Sequence, residues 1–275
     1  MKVEALITQS NSVDIYIDER KYIVPNHWFW PEFADSWEPQ THTFFERNLK
    51  KDTSFLDIGG WIGPTALIAT ELGAKKVTIV EPNPINFMKL IQIQFSNLGL
   101  LERWTLLNVC VANARGFTQI GPVEGVINSS SATNIRDQSG VEVMSILLTD
   151  LINPKEDYSL IKIDIEGAEE LVVSDLKHFL ITNAAIWLSI HPPFYQNKEN
   201  FYKNLSLLES DYFLTNENND LMPWSKLEEW ISSDEKNPSW GTKWGNFFEI
   251  GLLPKKAFNS EGKTVFAKQH PSTLK

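Results

Sequence analysis

The sequence predicts an α/β protein built on a mostly parallel sheet with helices on its faces, and three observations predict it. From Ser54 onward, short apolar runs alternate with helix-patterned segments, the order that gives parallel strands joined by crossover helices. One such run, Phe55-Leu56-Asp57-Ile58, passes directly into Gly59-Gly60-Trp61-Ile62-Gly63 and then a helix pattern. The 275 residues are 42% hydrophobic and 22% charged, a globular balance with enough apolar material for one sizeable core.

Residues 1–35 alternate apolar and polar positions in Val13-Asp14-Ile15-Tyr16-Ile17-Asp18. After Glu19-Arg20 comes Lys21-Tyr22-Ile23-Val24, so the segment suits a half-buried hairpin. Pro25 and Pro31 punctuate the chain beyond it, and Phe44, Phe45 and Leu49 at helical spacing predict a helix within Glu38 to Leu49. Next come a strand at Phe55-Leu56-Asp57, a helix over 64–73, a strand at Val77 to Val80, a helix over 84–98 and a strand from Thr105 to Val111. Residues 121–140, rich in Gly, Ser and Asn, read as a loop. A strand at Leu160 to Asp164, a helix near 167–180 and a fifth strand at Ala185 to Ile190 extend the sheet. Tyr212 to Thr215 and Asn246 to Leu253 add two strands flanking a Trp-rich insertion at about 221–245. The organisation expected is a β-element over 1–37, a main domain over 38–255 and a tail over 256–275.

The formal net charge is −10 and no Lys/Arg-rich run is present, so a phosphate backbone finds no broad basic footprint and nucleic acid is not the expected partner. The single cysteine, Cys110, excludes an internal disulfide and a Cys-based zinc cluster, in keeping with a cytoplasmic location. Met1 to Ser10 lacks the pattern of a signal peptide, and no apolar stretch approaches the roughly 20 residues of a membrane span. Ten tryptophans stand out, eight of them at positions 28–37 and 187–244.

The most informative stretch is the turn Asp57-Ile58-Gly59-Gly60-Trp61-Ile62-Gly63, of the form D-x-G-G-x-x-G. Glycines are needed where the backbone turns sharply and a ligand approaches a helix N-terminus without a Cβ in the way. An Asp before the turn suits a ligand with a cationic amino-acid head. The second signal is Glu81, ending a strand 24 positions after Asp57, where a carboxylate can accept hydrogen bonds from both hydroxyls of a ribose. Each piece alone has a bland reading, a tight turn and a solvated strand-end acid; their order and spacing together favour a nucleoside ligand.

With Glu81-Pro82 and Ile161-Lys162-Ile163-Asp164-Ile165-Glu166-Gly167-Ala168-Glu169, this turn resembles the FkbM-type S-adenosylmethionine-dependent methyltransferases. The Ile-Asp-Ile-Glu-Gly-Ala-Glu run is the distinctive part. The resemblance covers roughly residues 38–190, with Glu38-Pro39 leading into the first helix much as in that family. It implies a Rossmann-like class I methyltransferase fold with a mostly parallel seven-stranded sheet, S-adenosyl-L-methionine as cofactor, and O-methylation of a sugar, glycan or small hydroxylated metabolite. It further implies that Asp57, Gly59 and Gly63, with Gly60 in the same turn, shape the methionine pocket. Glu81, with Pro82 behind it, would hold the ribose, adenine would lie near Asn108-Val109-Cys110, and Asp164 would border the cofactor. The sequence departs from the family at Gly60-Trp61, where members usually show Ala-Asn; the Trp either lines the methionine end or packs. Cys110 also suits a packed small apolar residue.

Methyl transfer from a sulfonium is an in-line displacement, so holding the acceptor oxygen against the methyl carbon is much of the catalysis. A sugar hydroxyl is weakly acidic, and a general base or a metal ion helps. Asp164 and Glu166, at and just past a strand end, can bind the hydroxyl, take its proton or, with His191, supply some ligands of a divalent ion. Alternatively, Asp164 fixes the loop and Glu166 or Glu169 caps the next helix. No residue set is assigned as a dedicated metal site. His191, directly after the fifth strand and before two prolines, is the first choice for general base, against a purely structural role.

His191-Pro192-Pro193-Phe194 is similar to the Asp/Asn-Pro-Pro-Tyr/Phe signature of N-methyltransferases, but stands one strand and helix too late. An inactive methyltransferase-like scaffold is a further reading, motivated by Gly60-Trp61, and a nicotinamide dehydrogenase is disfavoured by the glycine spacing. Asn128, Ser129, Ser130, Ser131 and Asn134 suit either polyol contacts or a plain polar loop. The tryptophans at 28, 30, 37, 224, 230, 240 and 244 suit either a wall for sugar rings or an accessory core.

Overall fold

The structure is a computed structural model that describes residues 3–9, 11–35, 37–122, 133–136, 140–232 and 247–257. At the N-terminus, β1 (Val3–Gln9), β2 (Ser12–Ile17) and β3 (Arg20–Pro25) form an antiparallel sheet in that order. The expected hairpin is thus the β2–β3 pair of a three-stranded meander. Beyond it lie two helices, α1 (Phe29–Asp35) and α2 (Pro39–Asn48). Pro39 starts α2, where its missing N–H costs nothing and its fixed φ suits the first turn.

The main sheet collects β4 (Ser54–Ile58), β5 (Lys76–Val80), β6 (Trp104–Leu107), β11 (Tyr158–Ile163), β12 (Ala185–Ile190), β13 (Tyr212–Thr215) and β14 (Phe248–Pro254). Their order is β13-β14-β12-β11-β4-β5-β6. The five strands from β12 to β6 are parallel, and β14 runs antiparallel to both β12 and β13. This is the mostly parallel seven-stranded sheet expected. Helices α3 (Pro64–Glu71) and α4 (Pro84–Ser96) make the crossovers from β4 to β5 and from β5 to β6. Because β5 and β11 flank β4 on opposite sides, connections leaving β4 and β11 part company there, and the crevice at their carboxyl ends is the natural ligand position of an open parallel sheet.

Every residue of β4, β11 and β12 is buried, as the continuous apolar runs demand of strands covered on both faces. On one face Leu56, Ile58, Ile161, Ile163, Ile186 and Leu188 pack against α6 (Lys198–Ser206), α7 (Trp224–Ser232) and residues 173–181. On the other, Phe55, Leu160 and Trp187 join α2, α3 and the N-terminal sheet through Val13, Ile15, Tyr22 and Val24. The Asn97 side chain completes this docking: its amide donates to Ile23 O at 2.8 Å and accepts from Ile23 N–H at 2.9 Å.

Three expectations need correction. The run from Thr105 to Val111 is two strands, because β6 stops at Leu107 and β7 (Cys110–Val111) pairs with β10 (Val141–Ile146) in a separate sheet that continues from β10 to two further strands. The stretch 121–140 is not simply a loop: β8 (Gly116–Pro122) ends inside it and β9 (Thr133–Arg136) lies within it. This sheet was hard to read because, among the described residues, its buried cluster is Cys110, Ile120 and Val143, too few for a periodic signal. The helix near 167–180 is α5 (Glu169–Val172) followed by a 3₁₀ helix over Val173–Ile181. Its buried residues Val173, Leu176 and Phe179 are spaced by three, which matches three residues per turn. Among the described residues no helix is long and apolar enough to cross a membrane.

Candidate active site

The turn after β4 sits against the end of β11. Gly59 adopts φ +85°, and a Cβ built on it would stand 1.7 Å from the Asp164 carbonyl oxygen, so only glycine lets the two strand ends meet. Asp164 N–H donates to Ile58 O at 2.9 Å across the same junction. The N–H groups of Gly59 and Gly60 both donate to Val80 O, tying the turn to β5 as well. Gly63, at φ +91°, caps α3, and Pro64 begins the helix. The α3 N-terminus therefore faces the turn with its partial positive charge.

Asp57 lies fully buried beneath this turn. One oxygen accepts the Thr65 hydroxyl at 2.6 Å; the other, Oδ1, has no hydrogen bond and is 3.8 Å from Lys162 Nζ. Burial raises the Asp57 carboxyl, and Lys162 and the Thr65 hydroxyl pull it back down. Glu81, 5% exposed at the end of β5, accepts Trp61 N–H at 2.9 Å and Asn83 N–H at 2.8 Å. Burial pushes its carboxyl up to about 8 despite these donors. Asn108 donates to the carbonyls of Glu81 and Pro82 at 2.8 and 3.0 Å, so it braces the turn after β5 from the end of β6. Val109 is partly buried against the main core, and Cys110 is buried in the second sheet, as a small packed residue would be.

The ends of β11 and β12 bring Asp164, Glu166, Glu169 and His191 together. His191 Nδ1 is 3.1 Å from Glu169 Oε1, while Nε2 faces Asp164 Oδ1 at 3.8 Å and Glu166 Oε2 at 3.5 Å. Glu169 also accepts Ile165 N–H at 2.9 Å, Gly167 N–H at 2.8 Å and the Tyr195 hydroxyl at 3.3 Å. Those bonds hold Glu166 and Gly167 in left-handed backbone conformations, φ +55° and +98°. It is Glu169, not Asp164, whose carboxylate bonds fix this loop, while Asp164, Glu166 and His191 converge at the strand ends. Burial opposes charge on His191, but Glu169, Glu166 and Asp164 outweigh it and raise the imidazole to about 9. Burial raises Glu166 to about 7.

Residues 57–220 match the family described as the methyltransferase FkbM domain, three-fifths of the chain. The chain belongs to the FkbM methyltransferase family. Among solved structures it is similar to an FkbM methyltransferase from Methylobacillus flagellatus, at 14% identity over 64% of this chain and 46% of that one, TM-score 0.43. It is also similar to SMU.776 complexed with SAH, at 13% identity over 89% and 57% of the two chains, TM-score 0.43. A third is a dimethyladenosine transferase from Plasmodium falciparum, at 12% identity over 78% and 60%, TM-score 0.42. The chain spans about half the length of the Methylobacillus protein. No curated protein matches the sequence.

The FkbM domain also holds a buried polar layer that the sequence pattern did not single out. Lys162, 3% exposed, reaches Asp164 Oδ2 at 3.1 Å and Gly59 O at 3.4 Å. Beside it Thr41 Oγ1 donates toward Glu38 Oε2 at 3.1 Å and Glu249 at 3.3 Å, and Trp187 Nε1 donates to Glu249 Oε1 at 3.0 Å. Burial raises Glu38 well above the ordinary carboxylate range and Glu249 to about 7. The signal was available: Lys162 interrupts Leu160-Ile161-Ile163 and Glu249 interrupts Phe248-Ile250, and a charge in a buried strand needs partners.

The tryptophans divide as well. Trp30, Trp187, Trp224 and Trp230 are packed in the cores. Trp28 is 54% exposed, and it, His27 and Phe29 pack their rings around Trp61 of the glycine turn. Trp61 thus packs against the N-terminal segment while its N–H serves Glu81. Trp240, Trp244, Asn128 and the serines at 129–131 lie outside the described residues, and the side chain of Asn134 is likewise not described.

Proposed function

We propose that the protein is an O-methyltransferase that moves the S-adenosyl-L-methionine methyl group to a hydroxyl of a sugar, glycan or small hydroxylated metabolite. The observation that carries this reading is the junction of β4 and β11: Gly59 abuts Asp164, so the methionine end of a cofactor in the glycine turn borders the Asp164–Glu166–His191 cluster. In this reading Glu81 holds the ribose, Asn108 and Val109 flank the adenine, and Asp57 with Gly59, Gly60 and Gly63 shapes the amino-acid end. The acceptor hydroxyl lies at Asp164, Glu166 and His191. Its oxygen forms a bond to the methyl carbon as the carbon–sulfur bond breaks; the electron pair stays on sulfur, giving S-adenosylhomocysteine, and the hydroxyl proton leaves to the carboxylate–imidazole cluster. The net charge of −10 supports a small-molecule or glycan acceptor over nucleic acid, and the lone buried Cys110 supports a cytoplasmic setting.

The test is transfer of labelled methyl from S-adenosylmethionine to a panel of hydroxylated acceptors, with the product resolved by NMR. An O-methyl product, lost in Asp164→Asn, is expected. An N-methyl product would overturn the reading in favour of His191-Pro-Pro-Phe, and cofactor binding without transfer to any acceptor class would favour a non-catalytic scaffold.

A further inference from the structure

We propose that the outward face of α4 is a self-complementary docking surface on which a second copy of this chain pairs, giving a two-fold symmetric dimer. A helix at the surface of a globular protein normally turns charged and polar residues to solvent. α4 and the 3₁₀ turn after it, Leu98–Leu100, do not: from Pro84 to Leu101 the sequence holds one charged residue, Lys89, and it is half-buried. The inner face of α4 buries Leu90 and Ile93 in the core shared with the N-terminal sheet. The opposite face carries Ile85, Met88 and Phe95, which are 67, 53 and 64% exposed, with the exposed Gln92 between them. Leu98 and Leu101 prolong the stripe at 69 and 41%. Positions 85, 88, 92 and 95 follow the alternating three- and four-residue spacing of the seam along which two helices pack.

The layout of the stripe selects its occupant. Ile85 and Leu98 stand equally far along the chain from the Ile91–Gln92 midpoint, and so do Met88 and Phe95. A two-fold axis through that midpoint, with the helices antiparallel, sets Ile85 against Leu98 of the second copy and Met88 against Phe95 of the second copy. A closed dimer needs such a patch, one that matches itself on rotation. Charge agrees. The chain carries −10, so two copies repel over much of their surfaces, yet residues 84–101 contain no Asp or Glu. The exposed Phe117–Met144 pair across β8 and β10 shares its face with Glu142, which a second copy would bring against its like. A lipid surface fits the α4 stripe less well, because interfacial helices flank their apolar face with Lys and Arg. The area suffices as well: five side chains of this exposure offer on the order of 100 Å² each, so a symmetric pair buries roughly 1,000 Å², the size at which a specific interface begins. A contact of that size gives a reversible dimer rather than an obligate one.

The pairing stands whether or not the methyl-transfer reading holds. The experiment is analytical ultracentrifugation of the full chain across the micromolar range, where we expect a reversible monomer–dimer equilibrium. Met88→Lys and Phe95→Glu each enter a two-fold contact twice, and each should weaken association about 100-fold or more. Mixing the two variants should restore the dimer in part, because the introduced ammonium and carboxylate then face each other across one half of the contact. Both positions are more than half exposed, so circular dichroism and the urea midpoint of each variant should match the parent; Ile85→Glu tests the same stripe should either variant fail to fold. A parent that stays monomeric throughout the range, or a dimer that none of these substitutions weakens, would overturn the proposal. Variants that remain monomeric when mixed would refute the antiparallel pairing. A monomeric parent that sediments with phosphatidylcholine vesicles, and loses them in Phe95→Glu, would assign the stripe to a lipid surface and refute the dimer.

Discussion

Replacing Gly59 by alanine tests the junction on which the proposed cofactor site depends. The added Cβ would meet the Asp164 carbonyl oxygen at 1.7 Å, and that oxygen would have to retreat by about 1.3 Å or more in a close-packed interior. The retreat pulls on the Asp164 N–H bond to Ile58 O, which lies at the same strand end. Three contributions add. A non-glycine residue at φ +85° costs about 1–2 kcal/mol, overpacking about 1–3 kcal/mol, and a weakened backbone hydrogen bond about 1 kcal/mol. Gly59→Ala should therefore lose on the order of 3–6 kcal/mol, a large part of a typical domain's stability. Urea denaturation measures this, and calorimetry with S-adenosylhomocysteine measures the ligand side, where binding should fall to background. Gly99→Ala is the control, because a Cβ there meets nothing within 4 Å; it should change stability little. If Gly59→Ala unfolds within about 1 kcal/mol of the parent and binds ligand normally, the close approach of β4 and β11 is not what shapes the site.

Glu81 supplies a pH prediction: because burial holds its carboxyl near 8 against an ordinary 4.5, the folded protein retains a proton that the unfolded chain releases, so its contribution to stability falls as pH rises from 4.5 to 8. Ribose hydroxyls donate to the ionised form, so S-adenosylhomocysteine binding at pH 7 should release a proton, seen as calorimetric enthalpies that vary with buffer; wild-type binding without release would refute it, and Glu81→Gln should abolish it. Lys162→Met should cost about 3–5 kcal/mol in urea denaturation, since it leaves the buried Asp57 without its cationic neighbour; a neutral result would mean Asp57 is already protonated. Asn97→Ala should cost about 1–3 kcal/mol and speed exchange of the Ile23 amide, and an unchanged exchange rate would deny that Asn97 docks the N-terminal sheet.

Legible in the sequence were the features that repeat or that only one residue type can supply. Apolar runs such as Ile161-Lys162-Ile163 and Ala185 to Ile190 marked the central strands, and the glycines of 59–63 marked a turn that admits no Cβ at its contact with Asp164. The second sheet was not legible, since β8 and β10 bury little and pair across a long separation, leaving no local period to read. The site was half legible for a related reason. Asp164, Glu166 and His191 advertise themselves by lying at strand ends, but Glu169, which decides what the other three can do, looks in sequence like one more acid at a helix start. Its role depends on Ile165, Gly167, His191 and Tyr195 arriving around one carboxylate. A buried carboxylate that accepts this many bonds is fixed in place, and a fixed partner on Nδ1 sets the orientation of the His191 ring. The same logic holds across the sheet, where Lys162 is fixed by Asp164 and Gly59 and so links the glycine turn to the end of β11. In the proposed reading, the cofactor turn and the acceptor cluster are one polar structure sharing Asp164, and a substitution at either end should be felt at the other through that residue.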